Sequence, residues 1–462
     1  MVNKYKYLAK NTIIFAIGNI GSKIILFFLV PLYTAYMTTD QYGTGDLVFT
    51  MAQLIMPFVT IVIYDAVIRF GLSKYEKSED VLLVAIDVLC IGSLITIALT
   101  PLFSLYKAIS EWKWELAMYV ILSGFYSTNM NYLKVKEKNL SYTIISLLDT
   151  GLMAFLNILF LAVFHWGIKG YLYAYIISLL VCDILSFIVF NGVGELRKAH
   201  FEKALFRKML AYSAPLIFNN ISWWVIHSSD KVMIQAMLNN SELGLYTVSA
   251  KIPAFINVLI TIFSEAWGIS SVKEFENSND TEFYSNILKI YTFICFGASI
   301  FLIAICKPFM KIYVSNSFFE SWKYVPFLLA AAAFNAISAY YGSLYGALKK
   351  STRNMLTTLL AAVINIVINY IGINIVGTYG AAIGTLAAYF VIAIVRMIDV
   401  GHFIDIKFDI LKFSIMCVLI GVQSIFVTLD FHPAIVSIVV IAVFAILNRD
   451  NFKMLMLRVK KN

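Results

Sequence analysis

Lys23 stands in the middle of an otherwise apolar stretch, Asn11 to Met37. Asp65 and Arg69, Asp87, Asp149, Asp183, Asp230 and Lys231, Lys251, Glu265 and Arg396 also fall inside or at the ends of apolar runs. An ionisable group inside a bilayer is costly, so it faces a wet cavity, a partner or a bound solute. Lysine and arginine there suit an anion: lysine offers a mobile point charge, arginine a bidentate grip. Carboxylates there suit a coupling cation or a gate. Trp223 and Trp224, with Asn219, Asn220 and His227 close by, offer aromatic faces and amides of the kind on which sugar rings stack and bond.

Each of these groups also has a structural reading. Asp65 and Arg69 are four apart on one helical face, and a pair between them is the favoured expectation. Lys23 can instead pair with a carboxylate such as Asp65. Asp230 and Lys231 suit a cap or an interface pair as well as a substrate contact. Lys251 and Glu265, fourteen apart on one helix, lie about 21 Å from each other and cannot pair. Asp87, Asp149 and Asp183 are expected to bond Ser, Thr or Asn of neighbouring helices, with a protonatable carboxylate as the alternative. Arg396 is expected to snorkel to the interface. Trp112, Trp114 and Trp166 read as interfacial anchors.

The elements that must position these groups are membrane helices. The chain has 462 residues, 60% of them hydrophobic and 14% charged, far from the balance of a soluble domain. Only eight prolines interrupt it, and the continuous apolar runs exclude a β-barrel. About fourteen spans are expected: 11–37, 44–68, 81–106, 115–133, 142–165, 169–192, 210–238, 244–270, 286–306, 324–347, 355–376, 380–400, 410–429 and 433–448. With both termini cytoplasmic, 25 of the 36 basic residues fall inside and six outside, as the positive-inside rule asks. The net charge of +9 is therefore topological and does not point to nucleic acid. The first run is a retained helix and not a cleaved leader. Five cysteines lie inside apolar runs without CxxC spacing and read as packing residues. No Walker A, HExxH or GxSxG motif occurs, so no enzyme, cofactor or metal site is expected.

Three motifs recur in order. Met37-Thr-Thr-Asp-Gln-Tyr-Gly43 returns as Leu238-Asn-Asn-Ser-Glu-Leu-Gly244, 201 positions on. Leu133-Lys-Val-Lys-Glu-Lys-Asn139 returns as Leu348-Lys-Lys-Ser-Thr-Arg-Asn354, 215 on, and Gly167-Ile-Lys-Gly170 as Gly377-Thr-Tyr-Gly380, 210 on. The expected organisation is a six-helix lobe at 1–195, a linker or surface helix at 196–209, a second lobe at 210–400 and two further helices with a basic tail at 401–462. As a surface helix, Glu195 to Lys208 would turn Leu196, Phe201, Leu205 and Phe206 to lipid. Two like-oriented lobes place a solute site at mid-membrane, which reads as a transporter.

The chain resembles the multidrug/oligosaccharidyl-lipid/polysaccharide exporter superfamily, and within it the polysaccharide-transport branch. The resemblance rests on Pro31-Leu-Tyr33, Asp40-Gln-Tyr-Gly43, Tyr64-Asp65-Ala-Val-Ile-Arg69-Phe70, Ser229-Asp230-Lys231, Leu243-Gly-Leu-Tyr246 with Lys251, and Gly377-Thr-Tyr-Gly380. It implies an all-α polytopic fold of two parallel six-helix lobes about a central cavity. It also implies a monomeric flippase of undecaprenyl-diphosphate-linked oligosaccharides in the bacterial plasma membrane, working by alternating access in capsule, exopolysaccharide or O-antigen assembly. Lys23, Arg69 and Lys251, joined by Lys231, would take the head group, while Asn219, Asn220, Trp223 and Trp224 would line the glycan. Asp65, Asp230 and Glu265 would couple to Na+ or H+ or gate. The first helix departs from the pattern in holding one cation. The alternatives are a cation-coupled multidrug or metabolite antiporter of the same fold and a membrane glycan polymerase. The short outer loops count against the polymerase.

Overall fold

Thr38 begins the second helix with a reciprocal cap: its Oγ1 accepts from the Gln41 amide, and Gln41 Oε1 accepts from the Thr38 amide, both at 3.2 Å. Two of the donors that a helix start leaves orphaned are thereby satisfied. Asn239, 201 residues later, caps its own helix by accepting from the Glu242 amide at 2.8 Å. The first recurring motif is thus a recurring N-cap. The third is an elbow: Gly167 (φ 56°, ψ −133°) and Gly377 (φ 63°, ψ −143°) both precede a helix in a conformation that side chains resist. The second marks a wide turn, closed by Lys138 N to Leu133 O and by Lys350 N to Tyr345 O, each 2.8 Å.

The computed structural model describes residues 21–277, 281–348 and 350–451. Lys4, Lys6, Lys10, Asn19, the opening of the first expected span and the basic residues Lys349, Lys453, Arg458, Lys460 and Lys461 lie outside them. The side chains of Glu265 and Lys273 lie outside them too. Among the described residues the fold is helical without strands. In order come α1 (Gly21–Tyr36), α2 (Thr39–Thr60), α3 (Ile63–Gly71), α4 (Ser78–Leu99), α5 (Lys113–Val135), α6 (Asn139–Asn157), α7 (Ile168–Val189), α8 (Gly192–Lys198) and α9 (Lys203–Met237). There follow α10 (Asn240–Ser249), α11 (Pro253–Asn277), α12 (Thr281–Tyr313), α13 (Val325–Ala347), α14 (Ser351–Val376), α15 (Thr378–Gly401), α16 (Ile410–Thr428) and α17 (Pro433–Leu447).

Each of the fourteen expected spans falls on a helix or a bent pair. Among the described residues, eight helices are long and apolar enough to cross a membrane, or ten if α2–α3 and α10–α11 each make one span. The chain forms two compact units, Met1–Val232 and Met233–Asn462. Their boundary lies within α9, whereas the sequence reading divides the chain at 196–209.

Both bent pairs have a local cause. Ile61 and Val62 adopt left-handed backbone (φ 50° and 53°) between α2 and α3, which bend by 54°. Gly92 of α4 packs there so closely that a Cβ would lie 2.1 Å from the Val59 carbonyl oxygen. Between α10 and α11 the bend is 52°. Pro253 opens α11, and a proline's missing N–H and fixed φ suit the first turn while ending what precedes it.

The segment Glu195 to Lys208 is not a continuous surface helix. Its helix stops at Lys198 and a new one begins at Lys203. Leu205 is buried, and it packs with Leu196 and Phe206 into a core of α3, α4 and α5 side chains. Of the four apolar residues expected to face lipid, Phe201 alone is exposed. The polar groups explain the folding-in: the His200 amide bonds Asp80 at 2.7 Å, Lys208 bonds Glu76 at 2.9 Å, and Glu195 takes both the Tyr132 hydroxyl and Lys136.

Candidate functional site

Of the four candidate head-group cations, three hold no carboxylate among the described residues. Lys23 lies exposed on α1, beside Ser22, whose hydroxyl is bonded by Thr150 at 2.9 Å. Arg69 is exposed near the end of α3. It lies past the 22 residues of α2, about 33 Å of helix, and beyond the 54° bend between α2 and α3. No ion pair joins it to Asp65, contrary to the favoured expectation. Asp65 interacts instead with Lys134 of α5, which rests over the Tyr142 ring at 4.3 Å.

Lys251 is half-buried in the break between α10 and α11. It therefore shares no continuous helix with Glu265, contrary to the sequence reading. The ten residues of α10 amount to about 15 Å, half the thickness of a hydrocarbon core. The break sets the C-terminal end of α10 and the N-terminal end of α11 on either side of the lysine, the second a positive end of the kind that attracts anions. Lys231 differs from these three, because Asp46 of α2 holds its ammonium at 2.8 Å. Asp230 is buried and accepts from the Lys231 amide at 2.8 Å.

The aromatic and amide group divides between two faces of α9. Trp224 donates its indole N–H to the Thr50 carbonyl at 2.9 Å, and Asn220 donates to Leu216 O at 3.0 Å. Asn219, Trp223 and His227, spaced by four, share the exposed face, with Trp223 stacked on His227 (5.6 Å between ring centres, 7° between planes). Of the four residues expected to line a glycan, the exposed face of α9 therefore carries Asn219 and Trp223, joined by His227, while Asn220 and Trp224 are turned to other partners.

The sequence matches a model of the polysaccharide biosynthesis protein family over residues 8–268. The chain belongs to this family. The matched region holds every candidate head-group cation and the α9 stripe. One curated relative is an Lsg locus protein of Haemophilus influenzae, 22% identical over 263 residues, covering 56% of this chain and 64% of that protein. A membrane protein of the same organism is 24% identical over 266 residues with the same coverage. The chain thus spans 64% of the length of the curated relatives it matches. In fold it is similar to a structure of the lipid II flippase MurJ in an inward closed conformation (TM-score 0.69, 14% identity, 95% of this chain and 99% of that one). It is also similar to an inward-facing multidrug resistance MATE family transporter (TM-score 0.64, 15% identity, 82% and 98%).

Two polar groups of this polysaccharide biosynthesis family member have roles that the sequence conceals. In the first unit, a cavity of about 300 Å³ is lined by Gln53, Tyr119, Ser123, Tyr126, Ser127 and Asp149 among others. Asp149 faces Ser178, while its Oδ1 is buried with no partner among the described residues. Asp183, by contrast, bonds Asn129 at 2.6 Å as expected. In the second unit Arg396 does not snorkel. It is buried and donates to Thr357 Oγ1 (3.1 Å), Ser338 O and Oγ (3.0 and 3.1 Å), Asn354 Oδ1 (2.7 Å) and Thr358 Oγ1 (2.8 Å). Every acceptor is neutral. The hydroxyls and amide at Asn354, Thr357 and Thr358 just after the second recurring motif are the sequence hint, a faint one because hydrogen bonds between helices leave no periodic trace.

Proposed function

We propose that the protein is a flippase that moves undecaprenyl-diphosphate-linked oligosaccharide units across the bacterial plasma membrane by alternating access, for capsule, exopolysaccharide or O-antigen assembly. The observation that carries this reading is Lys251: a half-buried cation in the break of a bent helix pair, with no carboxylate partner among the described residues. Hydrocarbon resists a diphosphate because its charge and its lost water bonds go uncompensated. A lysine at a helix break replaces part of that water. Lys23 and Arg69 supply further unpaired cations, and the Asn219, Trp223 and His227 stripe supplies stacking and hydrogen bonds to sugars. Family membership supports the polysaccharide context.

The same cations disfavour a cationic drug as cargo, so a cation-coupled multidrug or metabolite antiporter is the second reading. Asp149 favours a coupling role within either one, because its cavity holds an unpartnered carboxylate oxygen among hydroxyls, ligands suited to Na+ or H+. Asp65, Asp230 and Glu265 are the other coupling candidates. The work is translocation without covalent chemistry, and the chain acts as a monomer with both termini cytoplasmic.

The test is polysaccharide export by cells whose only copy is a variant, with membrane levels measured in parallel. Lys251→Ala and Lys23→Ala are expected to cut export at least about tenfold, the worth of one charge-assisted hydrogen bond. Undiminished export from both variants removes the head-group reading. Loss of export from Asp149→Asn, restored by Asp149→Glu, assigns the coupling group.

A further inference from the structure

A cavity of about 640 Å³ lies within the second unit, at the end of the bundle where α12 and α16 begin and α17 ends. None of the residues that the function above uses lines it. Lys289 of α12, Lys407 just before α16 and Lys412 of α16 surround it, the first two exposed and the third half-buried. None of the three makes an ion pair among the described residues, and Lys289 and Lys412 repel each other across it.

Three carboxylates also line it, all at its exposed rim. Asp409 is committed as the cap of α16, accepting the Lys412 amide at 2.9 Å. Asp450 lies beside Arg449 at 3.9 Å, and Glu282 has an interaction of its own. Asp409 and Asp450 attract Lys412 without closing on it.

The floor of the cavity is polar and incomplete. Thr292 and Asn451 are both buried, and the Thr292 hydroxyl and the Asn451 Oδ1 have no hydrogen-bond partner among the described residues. A buried polar atom left without a partner costs as much as a lost hydrogen bond, so an occupant that bonds the threonine hydroxyl recovers it. The start of α16 is already capped by Asp409, and the α12 start at Thr281 lies about 16 Å of helix from Thr292, so neither helix end adds to the threonine. Repelling ammoniums and an unpartnered buried hydroxyl together suit a tetrahedral oxyanion. Basic pockets between membrane helices at a membrane face take phosphate head groups.

We infer that this cavity binds a phosphate group, separately from the cargo. Two sources carry that group to a membrane face: the head group of an anionic phospholipid and free inorganic phosphate. Lipid retention separates them. The full-length protein in detergent is incubated with phosphatidylglycerol or with phosphatidylcholine, and bound lipid is read by mass spectrometry of the intact protein.

Phosphatidylglycerol is expected to stay bound in preference to phosphatidylcholine. Lys289→Gln with Lys412→Gln is expected to weaken retention at least about tenfold, while Lys323→Gln, at the α13 start, leaves it unchanged. Where inorganic phosphate displaces the lipid, soluble phosphate is a ligand as well; where it does not, the lipid is the source. Equal retention of the two lipids with no phosphate-induced rise in melting temperature overturns the inference, as does equal retention by wild type and double variant. Should the double variant not fold, Lys407→Gln, in the segment before α16, carries the same measurement.

Discussion

Asp46 and Lys231 stand 185 residues apart in the chain, yet the Lys231 ammonium sits 2.8 Å from Asp46 Oδ2. The bond ties α9 to α2 in a largely buried setting, where one partner left alone is costly. Lys231→Met is expected to lower stability in detergent by about 1–3 kcal/mol. Adding Asp46→Asn should recover part of that loss, read as a double-mutant cycle in thermal unfolding. Additive losses would mean that the two groups do not stabilise each other.

The division of the α9 aromatics makes neighbouring tryptophans respond differently. Trp224→Phe deletes the indole bond to Thr50 and should cost about 1 kcal/mol of stability with export largely kept. Trp223→Ala should leave the melting temperature close to wild type and reduce export. Export and melting temperature measured side by side decide it, and a swap of the two phenotypes would place the glycan on the other face.

Arg396 has no room for a neighbour at Gly342. A Cβ there would lie 2.6 Å from Nη1, so Gly342→Ala must push the guanidinium out of its ring of acceptors. A loss of about 1–3 kcal/mol is expected. Arg396→Lys should not substitute, because a point charge cannot reach Thr357, Ser338, Asn354 and Thr358 together. Thermal unfolding of both variants checks this.

The strained elbow at Ile61 sets two effects against each other. Its left-handed backbone costs a β-branched residue about 1–2 kcal/mol, which glycine relieves in part. Its side chain, however, packs against the core of α3, α4 and α5, and losing such a side chain costs about 2–5 kcal/mol. Ile61→Gly is expected to lower stability by about 1–3 kcal/mol. Gly92→Ala, with the Val59 carbonyl in its path, should lower it by a similar amount. Melting curves of the two variants check this, and a rise for Ile61→Gly would mean that backbone strain outweighs packing.

Helices were legible in the sequence because apolar runs of span length have few other outcomes, and the paired motifs were legible because caps and elbows demand particular residues. Thr38 and Asn239, or Gly167 and Gly377, could be matched for that reason. Side-chain partners were not legible. Asp65 and Arg69 have helical spacing for a pair, but α3 turns Arg69 outward while α5 brings Lys134 to Asp65. Arg396 near a helix end suggested a side chain reaching for water, yet α13 and α14 close over it. The Lys251 break was signalled by Pro253, which the sequence reading ran through because the surrounding run is uniformly apolar.

An N-cap asks for one oxygen at one place, and Thr38 and Asn239 meet that demand with different side chains. The two halves of such a chain can therefore drift apart across every lipid-facing position and still begin their helices in step. Ancestry in this architecture is recorded at its corners, and a search for kinship weighted toward the loops will outlast one weighted toward the membrane.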